Sequence, residues 1–541
     1  MRASTVLTMT AWVALVAASV AGRGAEPGKA KKAADKKNAW QPGKITISKE
    51  TTRITGPLRK DGYVDYVEAL NRRASKGVTP QNNAAVLLLR AMGPGAVDKD
   101  VRVAYFKRLG IDLLPEKGDY FLNVGEYLKK TRPKTWEDDD DRFWDADVTA
   151  WDRPWSAKQY PLIAGWLKAN EKPLRLVAEG VRRPRYYSPL FPFKDEPWLA
   201  VAGYEFDMSR YRSTSRSLCL RVRLRVKAGQ IDGAREDALT LHLLARRLGQ
   251  SPSWLEFIHG RTFESVAFDL DVTIAQHGGL STKQALRHME ALVKLPSMQS
   301  HASRVDLNSR FEFLDAVGIV ACQGPKTLVE WSGDENKAVA KRLFRLSAII
   351  GIDWDRTLRR GNSWYDQLAA AMGKPTRAAR AKAVKQVFAR FNRLRTERKD
   401  VEALSDHILD AKSRRERLSE TLGDYICGLL LSEGLESYYI NFDDRRRANE
   451  RTALLALALA AYRADHGAYP RALSKLAPKY IAKLPRDPFA GADFRYRPVG
   501  KGYTLYSVGR NGKDDGGIDP DDDLVIEGLV DSDDRVISTS K

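Results

Sequence analysis

Cysteine is scarce in this chain: Cys219, Cys322 and Cys427 are all that 541 residues contain. They lie far apart and are odd in number, so at most one disulfide can close within the chain and a disulfide-built scaffold is excluded. Each falls in an apolar helical pattern and reads as a buried thiol filling core space. Histidine is nearly as rare. The seven, at 242, 259, 277, 288, 301, 407 and 466, never fall in His-x-His or His-Glu-x-x-His spacing, so local sequence offers no zinc site. No Gly-x-Ser-x-Gly elbow is present. The nearest phosphate-loop candidate, Gly318 to Thr327, spaces its glycines six apart and sets Pro325 before Lys326, a sequence that cannot form an amide cradle. Beyond the first twenty residues no segment is apolar enough to span a bilayer, so the mature chain is expected to have no transmembrane span.

What is there begins with a compartment. Met1 and Arg2 supply a short positive end, Val6 to Val20 an apolar stretch, and Ser19-Val20-Ala21 small residues at a cleavage point. Residues 1–21 therefore read as a secretory signal peptide, and the protein as exported to the periplasm or cell envelope. Residues 22–43, rich in Lys, Ala and Gly, read as a disordered basic linker. Lys44 to Lys49 alternates apolar and polar residues as a short strand or extended arm would.

The formal net charge is +21, and it is uneven. Residues 505 to 541 hold ten Asp or Glu against four Lys or Arg, a net of −6, which leaves +27 on the rest. Such a body seeks polyanions. Export sets nucleic acid aside and leaves an anionic envelope polymer, lipid headgroups or an acidic envelope protein as candidate partners. An Arg-rich solvated surface would give the same balance.

The helical period dominates the chain, and the expected fold class is mainly α: a helical array of αα hairpins, repeat-like in places, with a small C-terminal α+β module. Residues 44–130 form an N-terminal helical region. Residues 131–204, with six tryptophans among prolines and the run Glu137 to Asp141, read as an irregular insertion of the kind that carries function on loops. Residues 205–440 read as the array, with amphipathic segments Ser213 to Ala228, Ile231 to Leu248, Trp254 to His277 and Thr282 to Leu295. A strongly basic helix is expected from Arg377 to Lys412.

Residues 441–541 form the terminal module. Asn441-Phe-Asp-Asp444 offers capping side chains for an Ala/Leu-rich helix from Arg445 to Tyr462, whose leucines cover more than one stripe and so demand a wide buried face. Then follow Ala461-Tyr-Arg-Ala-Asp-His-Gly-Ala-Tyr-Pro470, Leu484-Pro-Arg-Asp-Pro-Phe489, strands at Phe494-Arg-Tyr496 and Tyr503-Thr-Leu-Tyr506, and the loop Ser507 to Gly517. In order and spacing, about Phe442 to Ile526 resembles the globular domain of type II secretion major pseudopilins. That family places a helix before a small antiparallel sheet and a Gly/Asp-rich calcium loop. The resemblance implies a calcium site here, with ligand positions at Asp521 and Asp523, at Asn511, where this chain has an amide, and with Asp519 available in the same loop. The family's leader and membrane helix do not precede the module directly, which is expected to be reused as a domain. Residues 54–58, 62–71 and 77–85 resemble an uncharacterised exported bacterial family, a likeness that carries no activity.

No catalytic constellation emerges. Asp269/Asp271 and Glu137 to Asp141 have the residue types for acid/base work on glycans, which needs two carboxyls at a set separation across a cleft. The expected function is a non-enzymatic envelope scaffold or interaction protein. The alternative is an envelope hydrolase acting on glycan or peptide, with its site in the 131–204 insertion or a groove of the helical body.

Overall fold

The computed structural model describes residues 40–192, 199, 202, 206–398, 400–431, 435–514 and 516–517, with the backbone of 524–527. The expected signal peptide and nearly all of the basic linker lie outside the described residues. The chain is mainly helical with a small C-terminal antiparallel sheet. Its helices run α1 (Tyr66–Ser75), α2 (Ala84–Met92), α3 (Arg102–Leu109), α4 (Val124–Thr131), α5 (Trp136–Asp152), α6 (Pro161–Ala169), α7 (Glu171–Gly180), α8 (Met208–Lys227), α9 (Ile231–Leu248), α10 (Trp254–His277) and α11 (Thr282–Val293). Next come α12 (His301–Arg304), a π turn (Val305–Ser309) and α13 (Arg310–Gln323), then α14 (Lys326–Trp331), α15 (Lys337–Ile350), α16 (Trp354–Met372), α17 (Arg377–Glu397), α18 (Val401–Leu409), α19 (Arg414–Leu430) and α20 (Leu435–His466). Strands β1 (Arg495–Val499), β2 (Gly502–Ser507) and β3 (Leu524–Glu527) pair antiparallel in that order.

Helix starts follow the capping residues. Asn123 and Ser281 make full capping boxes with Glu126 and Gln284, and Ser253, Asp353 and Thr376 each accept an N–H of the first turn. These bonds satisfy donors that have no partner inside the helix. The same chemistry shortens the expected basic helix: α17 ends at Glu397, and Asp400 accepts from the backbone N–H groups of Glu402 and Ala403 to begin α18. At the terminal module it does the reverse. Asn441 to Asp444 lie inside α20, not at its cap, because Asn441 Nδ2 donates back to Ser437 O and Tyr439 and Ile440 are buried, so the helix runs through. Lys44 to Lys49 forms no strand; it is an extended arm, with Thr46 N donating to Asp355 Oδ1.

The expected irregular insertion is also corrected: residues 131–191 contain α5, α6 and α7, with Trp155 and Trp166 buried in the core, Trp136 and Trp151 half-buried and Trp144 exposed. Trp166 is fully buried against Phe121 and Phe143, edge to face, and its Nε1 donates to Leu122 O at 2.8 Å. Proline did not break this region, because Pro161 opens α6, where a missing N–H costs nothing.

The chain divides into two compact units that ignore the expected linear boundaries. The first comprises Met1–Arg73, Pro192–Ala202 and Gln299–Phe442; the second comprises Ala74–Phe191, Gly203–Met298 and Asp443–Lys541. In the second unit a single apolar cluster runs from α2 through α11 and takes in Leu455 to Ala461 of α20, Tyr480, Phe494, Tyr503 and Leu505. The wide apolar face of α20 is thus buried in the same core as the helical body, so residues 443–517 do not have a core of their own. In β2, Tyr503, Leu505 and Ser507 are buried while Thr504 and Tyr506 are half-buried, the two-residue alternation of a one-sided strand. In the first unit α13, α16, α17 and α19 pack around Phe313, Leu358, Trp364, Phe391 and Leu422.

Candidate functional site

The terminal loop is built on backbone that only glycine adopts freely: Gly509, Gly512, Gly516 and Gly517 have φ of 67°, 70°, 75° and 75°. Its base is fixed by Asp487, which accepts from Ser507 Oγ at 2.8 Å, Val508 N at 3.0 Å and Phe489 N at 2.9 Å. Asn511 Oδ1 accepts from Lys513 N at 2.7 Å. Asp514 takes the Tyr506 hydroxyl at 2.8 Å and Arg495 at 2.7 Å, and these bonds, the hydroxyl first, hold its carboxyl below the usual range. Asp519, Asp521 and Asp523 lie outside the described residues. Of the four expected calcium ligands, only Asn511 is placed.

The carboxylate pairs offered for acid/base chemistry come apart. Asp269 and Asp271 share α10, but Asp269 faces solvent and Asp271 is sealed. In Glu137 to Asp141, the first turns of α5, Asp139 is buried beside Thr135, Arg132 and Arg142, while Glu137, Asp138 and Asp141 are exposed.

Asp271 instead meets two histidines that no local spacing announced. Its Oδ2 lies 2.8 Å from His242 Nε2 on α9 and its Oδ1 2.8 Å from His288 Nε2 on α11, and all three side chains are fully buried. A carboxylate can only accept, so both Nε2 atoms carry the proton. Burial pushes the Asp271 carboxyl up, but the two imidazoles outweigh it and hold the group below its ordinary value. The residues sit on three helices at core positions, where a sequence reader expects apolar side chains. With no exposed atom, the cluster ties helices together and offers a substrate nothing to reach.

A second polar interior follows the π turn of the first unit. Such turns widen a helix by one residue and re-aim its side chains, and they recur at functional sites. Here Arg310, buried on α13, donates to Asn362 O at 3.0 Å and to the carboxylates of Asp306 at 2.5 Å and Asp366 at 2.8 Å. Asn362 Nδ2 in turn donates to Thr51 O at 2.8 Å, which fastens the extended arm to α16. One turn along α13, Glu312 and Asp315 both hold their protons up to about 7. Burial is the main cause for each; Arg304 opposes it and Asp315 adds to it at Glu312, while the Leu199 N–H at 2.8 Å and Arg59 at 3.6 Å oppose it at Asp315. Asp315 lines a narrow crevice together with Ile45, Ile47, Arg59, Tyr63, Tyr66 and Leu358.

The surface chemistry of the first unit is different. Residues 337–398 contain sixteen Lys or Arg and four Asp or Glu, a net of +12. On α17 the apolar Val384, Phe388 and Phe391 are buried, while Lys382, Lys385, Arg390 and Arg393 are exposed. On α15 the buried face is Val339, Ala340, Leu343, Leu346 and Ser347, and Lys341 and Arg345 are exposed. Both helices pack on α19. Among the described residues no helix is long and apolar enough to cross a membrane. No known family, curated protein or solved structure matches the chain in the comparisons made with each.

Proposed function

We propose that this is an exported, non-enzymatic protein of the cell envelope. On this reading the helical body is an interaction scaffold for an anionic envelope polymer or an acidic envelope protein, and the C-terminal segment is a pseudopilin-like module able to bind calcium. The observation that carries the reading is the charge on α15 and α17. Together they hold eleven Lys or Arg against one acidic residue, Glu397, and six of these cations, Lys341, Arg345, Lys382, Lys385, Arg390 and Arg393, are exposed on the faces turned away from the core. Cations arranged this way attract a polyanion over about a Debye length, roughly 8 Å at physiological ionic strength, and lose that attraction as salt rises. The order of a long helix, an Asp-anchored turn, an antiparallel sheet and a glycine-rich loop at the C-terminus supports the module. The burial of Trp155 and Trp166 and the internal pairing of Asp271 weigh against the hydrolase alternative, since none of these groups is presented to a glycan.

The test is a pull-down from envelope extract with and without calcium, beside retention on an anionic resin. The expected result is salt-sensitive retention that is lost when Lys382, Lys385 and Arg393 are changed to Glu. Retention unaffected by those changes and by salt would remove the scaffold reading, and capture indifferent to calcium would remove the metal.

A further inference from the structure

We infer that α15 docks on the headgroup layer of an anionic lipid bilayer. The inference rests on the scaffold reading above and narrows its partner at one helix. Three observations point to a bilayer and not to a dissolved polymer or an acidic protein. First, the outward arc of α15 joins charge to exposed apolar side chains: Lys341 and Arg345 lie at its middle, Phe344 at one edge and Ile349 at the other, with Ala338 and Ala348 between. Ile349 is 81% exposed and Phe344 37%, although the core of the same unit has buried every other large apolar residue of the helix except the half-buried Ile350. A polymer would engage the cations and leave these two side chains in water.

Second, the cations at the middle of the arc are not committed elsewhere in the fold. Neither Lys341 nor Arg345 takes part in an ion pair among the described residues, whereas Arg342, on the flank, donates to Ser405 Oγ at 2.6 Å. Asp334 and Glu335 on the preceding turn and Asp353 beyond its end are the nearest acidic residues in sequence, and α15 itself carries none.

Third, the helix matches what the interface selects. An interfacial helix lies in the membrane plane with a cationic face for anionic headgroups and an apolar edge that reaches the acyl boundary. Lys and Arg stems can run along that boundary while their charges stay at headgroup level. The arc is too narrow and too charged to be a span, in agreement with the absence of a membrane-crossing helix among the described residues.

The experiment uses the exported form, from Gly22 onward, with vesicles of phosphatidylcholine alone or containing phosphatidylglycerol, and soluble dextran sulfate as the polymer. Sedimentation should show binding to the anionic vesicles that weakens with salt. Lys341→Glu/Arg345→Glu should lower apparent affinity by roughly ten-fold or more. Phe344→Ser/Ile349→Ser should lower vesicle binding as well, while leaving retention on dextran sulfate unchanged. Anionic vesicles should protect the amides of residues 337–350 from hydrogen exchange, which locates the contact independently of the Lys-rich segment before Trp40 and of any variant's stability. Binding to dextran sulfate without binding to vesicles would overturn the bilayer and leave the scaffold reading standing; binding to neither would overturn both. Vesicle binding with no protection at 337–350 would also overturn the inference.

Discussion

Replacing Asp271 tests whether the buried His–Asp–His bridge holds α9, α10 and α11 together. In Asp271→Leu, the Nε2–H groups of His242 and His288 both lose their acceptor in a place no water reaches. Removing one partner of a buried charged cluster typically destabilises by about 3–5 kcal/mol. Asp271→Asn is gentler. The amide oxygen keeps one imidazole, and the other must move its proton to Nδ1, which has no hydrogen-bond partner at either histidine. One unsatisfied buried donor costs about 1–3 kcal/mol. The triple change His242→Leu/Asp271→Leu/His288→Met removes every polar atom of the bridge, and should recover most of the loss, because replacing all partners by apolar groups of similar volume is close to neutral. Urea unfolding supplies the free energies, and hydrogen exchange in α9 to α11 assigns the transition to the second unit, since two units need not unfold together. The pH dependence has a definite sign. A carboxyl held below its ordinary value contributes stability that is present above about pH 4, its unfolded range, and is lost as pH falls through the lower folded value. Asp271→Leu should therefore flatten the acid limb of the stability curve. An Asp271→Leu protein within about 0.5 kcal/mol of wild type, or a triple variant weaker than the single one, would refute the reasoning.

Two further changes probe the first unit. Glu312, whose carboxyl is pushed up to about 7 chiefly by burial, gives the opposite pH sign: the folded state holds its proton more tightly, so stability falls as pH rises from about 4 to about 7. Glu312→Gln should reduce that fall, to which Asp315 also contributes, and raise the melting temperature measured at pH 8, and an unchanged slope would exclude the assignment. Gly361→Ala should be costly despite alanine's better helix propensity, because its methyl would collide with the buried Phe313 ring where α13 crosses α16. Overpacking of this kind costs about 1–3 kcal/mol, readable as a drop in melting temperature; a stabilised variant would contradict it.

Much of the helical layout was legible because it is written locally. Ile231 to Leu248 and Trp254 to His277 have in the structure the bounds that their apolar period and flanking Gly229-Gln230 and Gln250-Ser251-Pro252 imply. The strands expected at Phe494 to Tyr496 and Tyr503 to Tyr506 overlap β1 (Arg495–Val499) and β2 (Gly502–Ser507). Errors came where a side chain had two local uses. Asp400 read as one more charge on a basic helix and acts as a cap; Asn441 to Asp444 read as caps and lie within a helix. Residues 131–191 read as an irregular insertion, since composition does not record that Leu122, Asn170 and Phe143 close around Trp166. The two units were not legible at all. Each gathers three separated stretches, and no composition shift marks a boundary that the chain crosses five times.

Net charge was the quantity most in need of the structure. Arg221 and Arg225 are engaged by Asp237 at 2.6 Å and 2.7 Å, Arg246 by the buried Glu264 at 2.5 Å, Arg360 and Arg398 by Asp424 at 2.7 Å and 2.8 Å, and Arg310 by Asp306 and Asp366. These guanidiniums count toward +21 in the sequence but are matched within the fold, and contribute little to its external field. The cations available to an outside partner are those with exposed heads, and Lys341, Arg345, Lys382, Lys385 and Arg393 belong to two helices that share a neighbour. A basic composition spread over the whole chain therefore resolves into a local surface. That change supports a partner of extended negative charge, because an isolated exposed ion pair is worth at most about 1 kcal/mol, whereas many headgroups or repeat units can meet several of these cations at once.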